Sequence, residues 1–324
     1  MKAFLTGATG FIGGHVARRL RDRGDEVVAL VRSPSKAGPL GDLGCELVEG
    51  DLSSTDAIRR GVQGVDAVFH IGAVYKVGVP ASEHAGMEDA NVRGTERVLD
   101  AAIEANVPRI LYVSTVACFG NTRGEVVDES YRRPDRDFFS AYDETKFRAH
   151  EVAQDRIAKG APIVIVQPGA VYGPNDHSGI GNLIDQARTG KLKLKMFPST
   201  GFTFGHVEDI AEGIVLAHDK GEVGDSYILA GQRGTLGELV DRVCELSGRK
   251  PPAITMPVVL MKLSAPFGSV VGPLMGFPPN LRELIRTSDG VTSWVTDEKA
   301  RRELGFAPRD LEAGLRQTLE ASPG

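Results

Sequence analysis

From its second residue the chain alternates short, continuous apolar runs with stretches in which apolar residues recur at helical spacing. The runs Ala3–Leu5, Glu26–Val31, Glu46–Glu49, Ala67–Ile71, Arg109–Val113 and Ile163–Val166 read as strands. Within them apolar residues do not alternate with polar ones, as expected of strands covered on both faces. Gly13–Arg23, closed by Gly24, and Asn91–Ala105 read as helices between them. The resulting β-α-β-α order predicts an α/β fold built on a doubly wound parallel sheet.

After Pro168 the rhythm breaks. Residues 169–182, GAVYGPNDHSGIGN, read as loop ahead of a helix ending near Gly190, and Ser226–Ala230 reads as a strand returning to the main sheet. The pattern therefore predicts a dinucleotide-binding unit over residues 1–172, rejoined by 203–230. Residues 173–202 and 231–324 are expected to form a smaller α+β substrate lobe. Met256–Pro278 is apolar, but Lys262 and prolines at 257, 266 and 273 interrupt it. That is too broken for the roughly 20-residue span a bilayer requires. It reads as short helices packing in the lobe or lining an apolar pocket, with loose membrane association as the alternative and stable insertion not expected.

Composition narrows the class. A chain of 324 residues, 41% hydrophobic, can bury the core of one large unit or two domains. Its 43 acidic and 38 basic residues give a formal charge of -5, the wrong sign for a phosphate-backbone partner, so nucleic acid is not expected. Cys45, Cys118 and Cys244 lie far apart without a CxxC pair, which suggests neither a disulfide framework nor a zinc site. The opening MKAFLTG lacks the apolar core of a signal peptide. A reduced, cytoplasmic setting is the expectation.

The turn after the first strand, LTGATGFIGG, places glycine at positions 7, 10 and 13 directly before a helix. Such a turn needs dihedrals that other residues resist, and it lets a phosphate reach the backbone N–H groups of the helix N-terminus. Strand, turn and helix in this order form the Rossmann dinucleotide fingerprint, carried by Gly7, Thr9, Gly10, Phe11, Ile12 and Gly13. The second strand ends at Val31-Arg32-Ser33-Pro34-Ser35-Lys36. An acidic residue here would accept the ribose hydroxyls of NAD, whereas an arginine accommodates a 2′-phosphate. Arg32, helped by Ser33 and Lys36, points to NADP, with NAD possible if Arg32 is only a solvated loop residue. Asp51 and Leu52 follow the third strand, where they contact adenine or Asp51 caps a turn.

A second constellation is Tyr142-Asp143-Glu144-Thr145-Lys146. Tyr and Lys four apart share one helix face. A tyrosine, with an unperturbed pKa of about 10, becomes a useful acid-base group once a neighbouring cation stabilises its anion. The strand ending at Val113 leads into Ser114-Thr115-Val116-Ala117. A hydroxyl thus stands at a strand's carboxyl end, where doubly wound sheets bind ligands.

TGATGFIG at Thr6–Gly13, Asp51-Leu52, NVRGT at Asn91–Thr95, VSTVACFG at Val113–Gly120, YDETK at Tyr142–Lys146, PGAVYGP at Pro168–Pro174 and HVEDIA at His206–Ala211 occur in this order. Together they resemble the extended short-chain dehydrogenase/reductases, the NAD(P)-dependent epimerase/dehydratase group. The resemblance covers essentially the whole chain and is nearest to the dihydroflavonol-4-reductase-like branch, which includes hopanoid-associated epimerase-like proteins. It implies that Tyr142 gives or takes the proton, that Lys146 binds the nicotinamide ribose and lowers the tyrosine's pKa, and that Asn91 supports the site. The orienting hydroxyl would come from Thr115, with Ser114 in reserve; family members usually carry serine there. Ala73, Pro168, Gly169 and Val171 would pass beside the cofactor, and a homodimer is possible.

The implied reaction is reversible hydride transfer between NADP(H) and a ketone, aldehyde or secondary alcohol of a small apolar or aromatic substrate. An NAD-dependent nucleotide-sugar epimerase or dehydratase is the alternative, and a non-catalytic NADP(H) sensor a third. Epimerase relatives commonly carry an arginine just before the HVEDIA-like motif; here Gly201–Gly205, GFTFG, has two phenylalanines instead. His206 is expected to be structural, and Cys118 a small buried hydrophobe. Substrate-specific loops are expected around 76–88, 121–139 and 175–205.

Overall fold

Continuous apolar runs become strands buried on both sides because successive side chains leave a strand in opposite directions. In the computed structural model, which describes residues 1–267 and 278–321, six such runs are β1 (Lys2–Thr6), β2 (Glu26–Val31), β3 (Glu46–Glu49), β4 (Ala67–His70), β5 (Arg109–Val113) and β6 (Ile163–Pro168). Leu5, Ala29, Phe69, Leu111 and Val164 point to one face, where they meet Val16, Ala17 and Leu20 of the Phe11–Asp22 helix and Ile210, Ile214 and Ala217 of the Val207–Lys220 helix. Phe4, Val28, Val68, Ile110 and Ile163 point to the other, against Ile58, Val98, Leu99, Ala149 and Ala153. Each fully buried Val, Leu, Ile or Phe among them contributes roughly 1.5–3 kcal/mol of transfer free energy.

With β9 (Ser226–Leu229) the sheet has seven parallel strands in the order β3-β2-β1-β4-β5-β6-β9. Strand β9 pairs with β6 as the return to the main sheet requires. The chain crosses over between β3 and β4, so β1 and β4 diverge at a topological switch point, where such sheets open a crevice beyond their carboxyl ends.

The segment after Pro168 is more ordered than its glycines and prolines suggest. Ala170–Tyr172 forms a strand, β7, that pairs with β8 (Gly201–His206); β8 also pairs with β10 (Gln232–Thr235) and β11 (Thr292–Ser293) in a smaller four-stranded sheet. Residues 201–206 thus belong to the small sheet, and the chain rejoins the large one only from Val207 onward. Three residues are too short a run for period-2 alternation to register.

The helix expected over 91–105 starts earlier, at His84–Glu88, widens into a π-helical turn at Asp89–Arg93 and continues as Gly94–Glu104. Of the apolar Met256–Pro278 stretch, Val258–Ser264 is a short helix and Ala265–Phe267 a 3₁₀ turn, while 268–277 lie outside the described residues. Among the described residues, no helix is long and apolar enough to cross a membrane.

Candidate active site

The glycine turn after β1 is shaped by backbone contact. Gly7 has φ 77°, and a Cβ on it would come within 2.7 Å of the Gly72 nitrogen. A Cβ on Gly13 would lie 2.1 Å from the Gly7 carbonyl oxygen. That carbonyl accepts a hydrogen bond from the Gly10 N–H at 2.8 Å, closing the turn. The following helix has no side-chain cap and no acid in its first turn, so its N–H groups are left for an outside anion. Here the residues fit a dinucleotide diphosphate.

Arg32, at the end of β2, is exposed and forms no ion pair or hydrogen bond with any described residue. Lys36 lines the same crevice. Asp51 has a local role: its carboxylate accepts from the Ser53 N–H (2.9 Å), the Ser53 hydroxyl (2.6 Å) and the Ser54 hydroxyl (3.0 Å), which hold its pKa below the ordinary value. Leu52 packs beneath Gly94, where a Cβ would come within 2.8 Å of it.

The crevice opens into one continuous cavity of about 2150 Å³, well beyond the roughly 300–1,000 Å³ of a single small-ligand pocket. Gly7, Thr9, Gly10, Phe11, Ile12, Gly13, Arg32, Lys36, Asp51, Leu52, Ala73, Thr115, Tyr142, Lys146, Pro168, Gly169 and Val171 all line it. Asn91 does not. It is buried behind the wall, where its side chain clasps both backbone groups of Val74 (2.7 and 3.0 Å) and donates to the Thr145 hydroxyl at 3.0 Å. Asn91 ties the loop after β4 to the helix bearing Tyr142.

That helix, Ala141–Ala158, is capped by Ser140, whose hydroxyl accepts from the Asp143 N–H. Asp143 forms a buried two-pronged ion pair with Arg133 (2.7 and 3.1 Å), and the Arg133 guanidinium stacks over Phe138. Tyr142 and Lys146 come out on one face, as their spacing requires. The buried Lys146 ammonium donates to the Val113 carbonyl at 3.1 Å and reaches the Tyr112 hydroxyl at 3.5 Å; burial pushes its pKa down to about 8. The Tyr142 phenol is held above its ordinary value by burial, against the Thr115 hydroxyl, which pulls it down.

The two neighbouring hydroxyls are placed differently. Ser114 is committed inward, 3.0 Å from His150 Nδ1 and 3.3 Å from the Cys118 sulfur, both buried. Thr115 faces Tyr142, and its oxygen also accepts from the Ala117 N–H at 3.2 Å. Burial alone leads among the causes that push His150 down to about 4 and raise the Cys118 thiol.

The substrate end has a different lining. Leu183, Leu192, Leu194, Met196, Phe197, Phe202, Leu236 and Leu284 line it, beside the polar Asn175, Asp176, His177, Ser178, Asn182, Gln186, Thr287 and Ser288. Its lysine, Lys76, is paired with Glu83 at 2.7 Å. The arginines that line the cavity, Arg18 and Arg32, are both at the dinucleotide end. Phe202 and the 175–205 segment therefore contribute as expected. From 121–139 only Phe139 reaches the cavity; the rest is engaged elsewhere, Thr122 with Thr292 and Val127 with Trp294. Nor do residues 256–266 line it: the short helix packs Met261 against Phe197 and Ile285 and turns Val259, Leu260 and Leu263 outward.

Two cavity residues escaped the sequence. Tyr75 stands one position before the expected loop, its ring edge-to-face on Tyr142 at 4.7 Å. Asp176 is half-buried in the lining, with burial raising its pKa, and takes the Ser178 N–H at 2.8 Å. The HIGAVY segment at the end of β4 carried a signal for the first, an aromatic just past a strand's carboxyl end; the second lies within the expected 175–205 loop, where no pattern singled it out. His206 caps the Val207–Lys220 helix through Nδ1, and Arg309 grips Asp209 beside it, a structural role as expected.

A doubly wound sheet with this turn and this Tyr-Lys pair defines a nicotinamide-dependent oxidoreductase. Residues 3–230 match the model of the NAD dependent epimerase/dehydratase family, and the chain belongs to that family, the extended short-chain dehydrogenase/reductases. It is 31% identical to a Stigmatella aurantiaca 4-hydroxy-2-methyl-3-oxo-4-farnesyl-3,4-dihydroquinoline-1-oxide ketoreductase, over 100% of this chain and 97% of that one. A Synechocystis protein provisionally named dihydroflavonol 4-reductase is 30% identical, over 96% and 92% of the two chains. Among solved structures, that of gox2253 is 32% identical with a TM-score of 0.84, covering 98% of this chain and 97% of that chain.

Proposed function

We propose that the protein is an NADP(H)-dependent ketoreductase for an apolar or aromatic carbonyl compound. The observation that carries this reading is the meeting of the Tyr142 phenol and the Thr115 hydroxyl at the wall of a cavity whose substrate end carries Leu183, Leu192, Met196 and Phe202, while the lining arginines and lysines without an acidic partner among the described residues, apart from Lys146 itself, are Arg18, Arg32 and Lys36 at the dinucleotide end. A sugar diphosphate needs cations beside its phosphates; an apolar ketone needs none. The Stigmatella relative, named for a substrate with a farnesyl chain, supports the same chemistry.

The Gly7–Gly13 turn would hold the cofactor's diphosphate and Arg32 with Lys36 its 2′-phosphate, with Ala73, Pro168, Gly169 and Val171 along the nicotinamide end. When bound, the cofactor supplies a hydride to the carbonyl carbon. Thr115 donates a hydrogen bond to the carbonyl oxygen as negative charge grows there, and Tyr142 gives it a proton. Burial keeps the phenol protonated and ready to donate, and the Lys146 ammonium, one helical turn away and held on the Val113 carbonyl and the Tyr112 hydroxyl, would stabilise the phenolate that remains. Ser114 supports from behind through His150.

Titration with NADPH and NADH, with mass spectrometry of any retained ligand, followed by a ketone screen, tests the reading. Tyr142→Phe is expected to lower turnover by about 10²–10⁴ with NADPH affinity kept. Full activity in that variant, or tightly retained NAD with a sugar nucleotide, overturns the proposal.

A further inference from the structure

Segments 190–196 and 249–256 run side by side on the outside of the apolar cavity wall. The Lys195 N–H donates to the Ile254 carbonyl at 2.8 Å, the Met256 N–H to the Lys195 carbonyl at 2.9 Å, and Gly190 lies against Arg249. Leu192 and Leu194 line the cavity, whereas the lysines that alternate with them, Lys191 and Lys193, are exposed and do not. Arg249 and Lys250 are exposed beside them.

These four cations have no acidic partner among the described residues. The acids of the neighbouring elements are already taken: Asp185 by Arg188, Asp241 by Lys195, Glu245 by Arg242 and Asp289 by Lys262. An excess of positive charge therefore sits on one face of a chain whose net charge is -5.

The same strip ends in exposed apolar residues. Ile254 is 65% exposed, and the Val258–Ser264 helix turns Val259 (67%), Leu260 (55%) and Leu263 (68%) to solvent on one face. Four exposed large aliphatic side chains along the same strip as four cations without an acidic partner combine the two features of an interfacial membrane contact, apolar insertion and attraction to anionic headgroups. A protein partner would meet this charge with acids at particular positions; a lipid surface needs only its general negative potential.

We propose that this face docks the protein on an anionic lipid surface, bringing the outer wall of the apolar cavity against the bilayer. The inference goes beyond the reductase reading and does not depend on it.

The test is flotation of the full chain with vesicles of phosphatidylcholine alone and of phosphatidylcholine with phosphatidylglycerol, at low and raised salt. Binding to the anionic vesicles only, weakened by salt, is the expected result. Two variants then separate the contributions: Lys191→Glu with Lys193→Glu, and Val259→Ser with Leu263→Ser. Each is expected to lower partitioning at least about tenfold, the first because it reverses the attraction to anionic headgroups and the second because it removes the apolar insertion. Circular dichroism and thermal melts of the same preparations report that both variants are folded. Absence of flotation, equal binding to neutral vesicles, or wild-type binding by either variant overturns the proposal. So does a concentration-dependent dimer in light scattering that Val259→Ser with Leu263→Ser abolishes while flotation is absent, because the face then joins two copies of the chain.

Discussion

The two ends of the cavity are built by opposite means. At the dinucleotide end the wall is backbone, with Gly7 against Gly72 and Gly13 against the Gly7 carbonyl. At the substrate end it is side chain, drawn from Leu183, Leu192, Met196, Phe202 and others on separate elements. A backbone wall has no slack, because an added carbon collides with atoms that cannot rotate away. A side-chain wall can lose a group and merely enlarge. One end of the fold is therefore fixed to a single ligand class, while the other is free to vary in what it accepts.

The sharpest way to break this contrast is Gly13→Val. With a Cβ 2.1 Å from a carbonyl oxygen, overpacking is expected to weaken NADPH binding by about a hundredfold or more. Fluorescence titration measures it, and near-normal affinity would show that the turn has slack after all.

The next effect falls on the seam between the ends, where Ser114 and His150 support the helix carrying Tyr142. Folded His150 stays neutral down to about pH 4, whereas the unfolded chain takes up a proton near 6.5. Its contribution to stability is full above about 6.5 and is lost as the pH falls toward 4. His150→Gln, which keeps a partner for Ser114, is expected to flatten that acid loss by on the order of 2–3 kcal/mol, read from thermal melts between pH 7 and 4. An unchanged slope would remove the histidine from the seam.

Arg32→Ala comes third. Loss of a charge-assisted contact to the 2′-phosphate is expected to weaken NADPH about tenfold and leave NADH within about twofold. Equal losses for both cofactors would mean that Arg32 does not read the phosphate.

The smallest effect belongs to the side-chain wall. Tyr75→Ala removes the ring lying edge-on to Tyr142, and KM for an aromatic ketone is expected to rise about fivefold with little change in kcat. A collapse of kcat instead would make Tyr75 part of the machinery that positions Tyr142.

What could be read from the chain followed the same division. Gly7, Gly10, Gly13, Tyr142 and Lys146 announce themselves because their chemistry depends on spacing along one turn or one helix, and local spacing survives folding unchanged. The large sheet was legible for a related reason: each parallel strand is buried on both faces and so is uniformly apolar. Strand β7 was not, since three residues among glycines and prolines become a strand only through β8. Asp51 could be read as an adenine contact or a turn cap; the bonds it accepts from Ser53 and Ser54 show the local role, which spacing alone did not single out.

By itself the sequence determined the sheet, the dinucleotide turn and the Tyr142–Lys146 pair, all of which are written in contacts a few residues apart or in unbroken apolar runs. Only the tertiary structure decided that Ser114 faces His150 while Thr115 faces Tyr142, that Asn91 stands behind the wall, that Tyr75 meets Tyr142, and that the apolar 258–264 helix faces outward. Those outcomes depend on which face of one element meets another far away in the chain, and periodicity within a single segment carries no record of its neighbour.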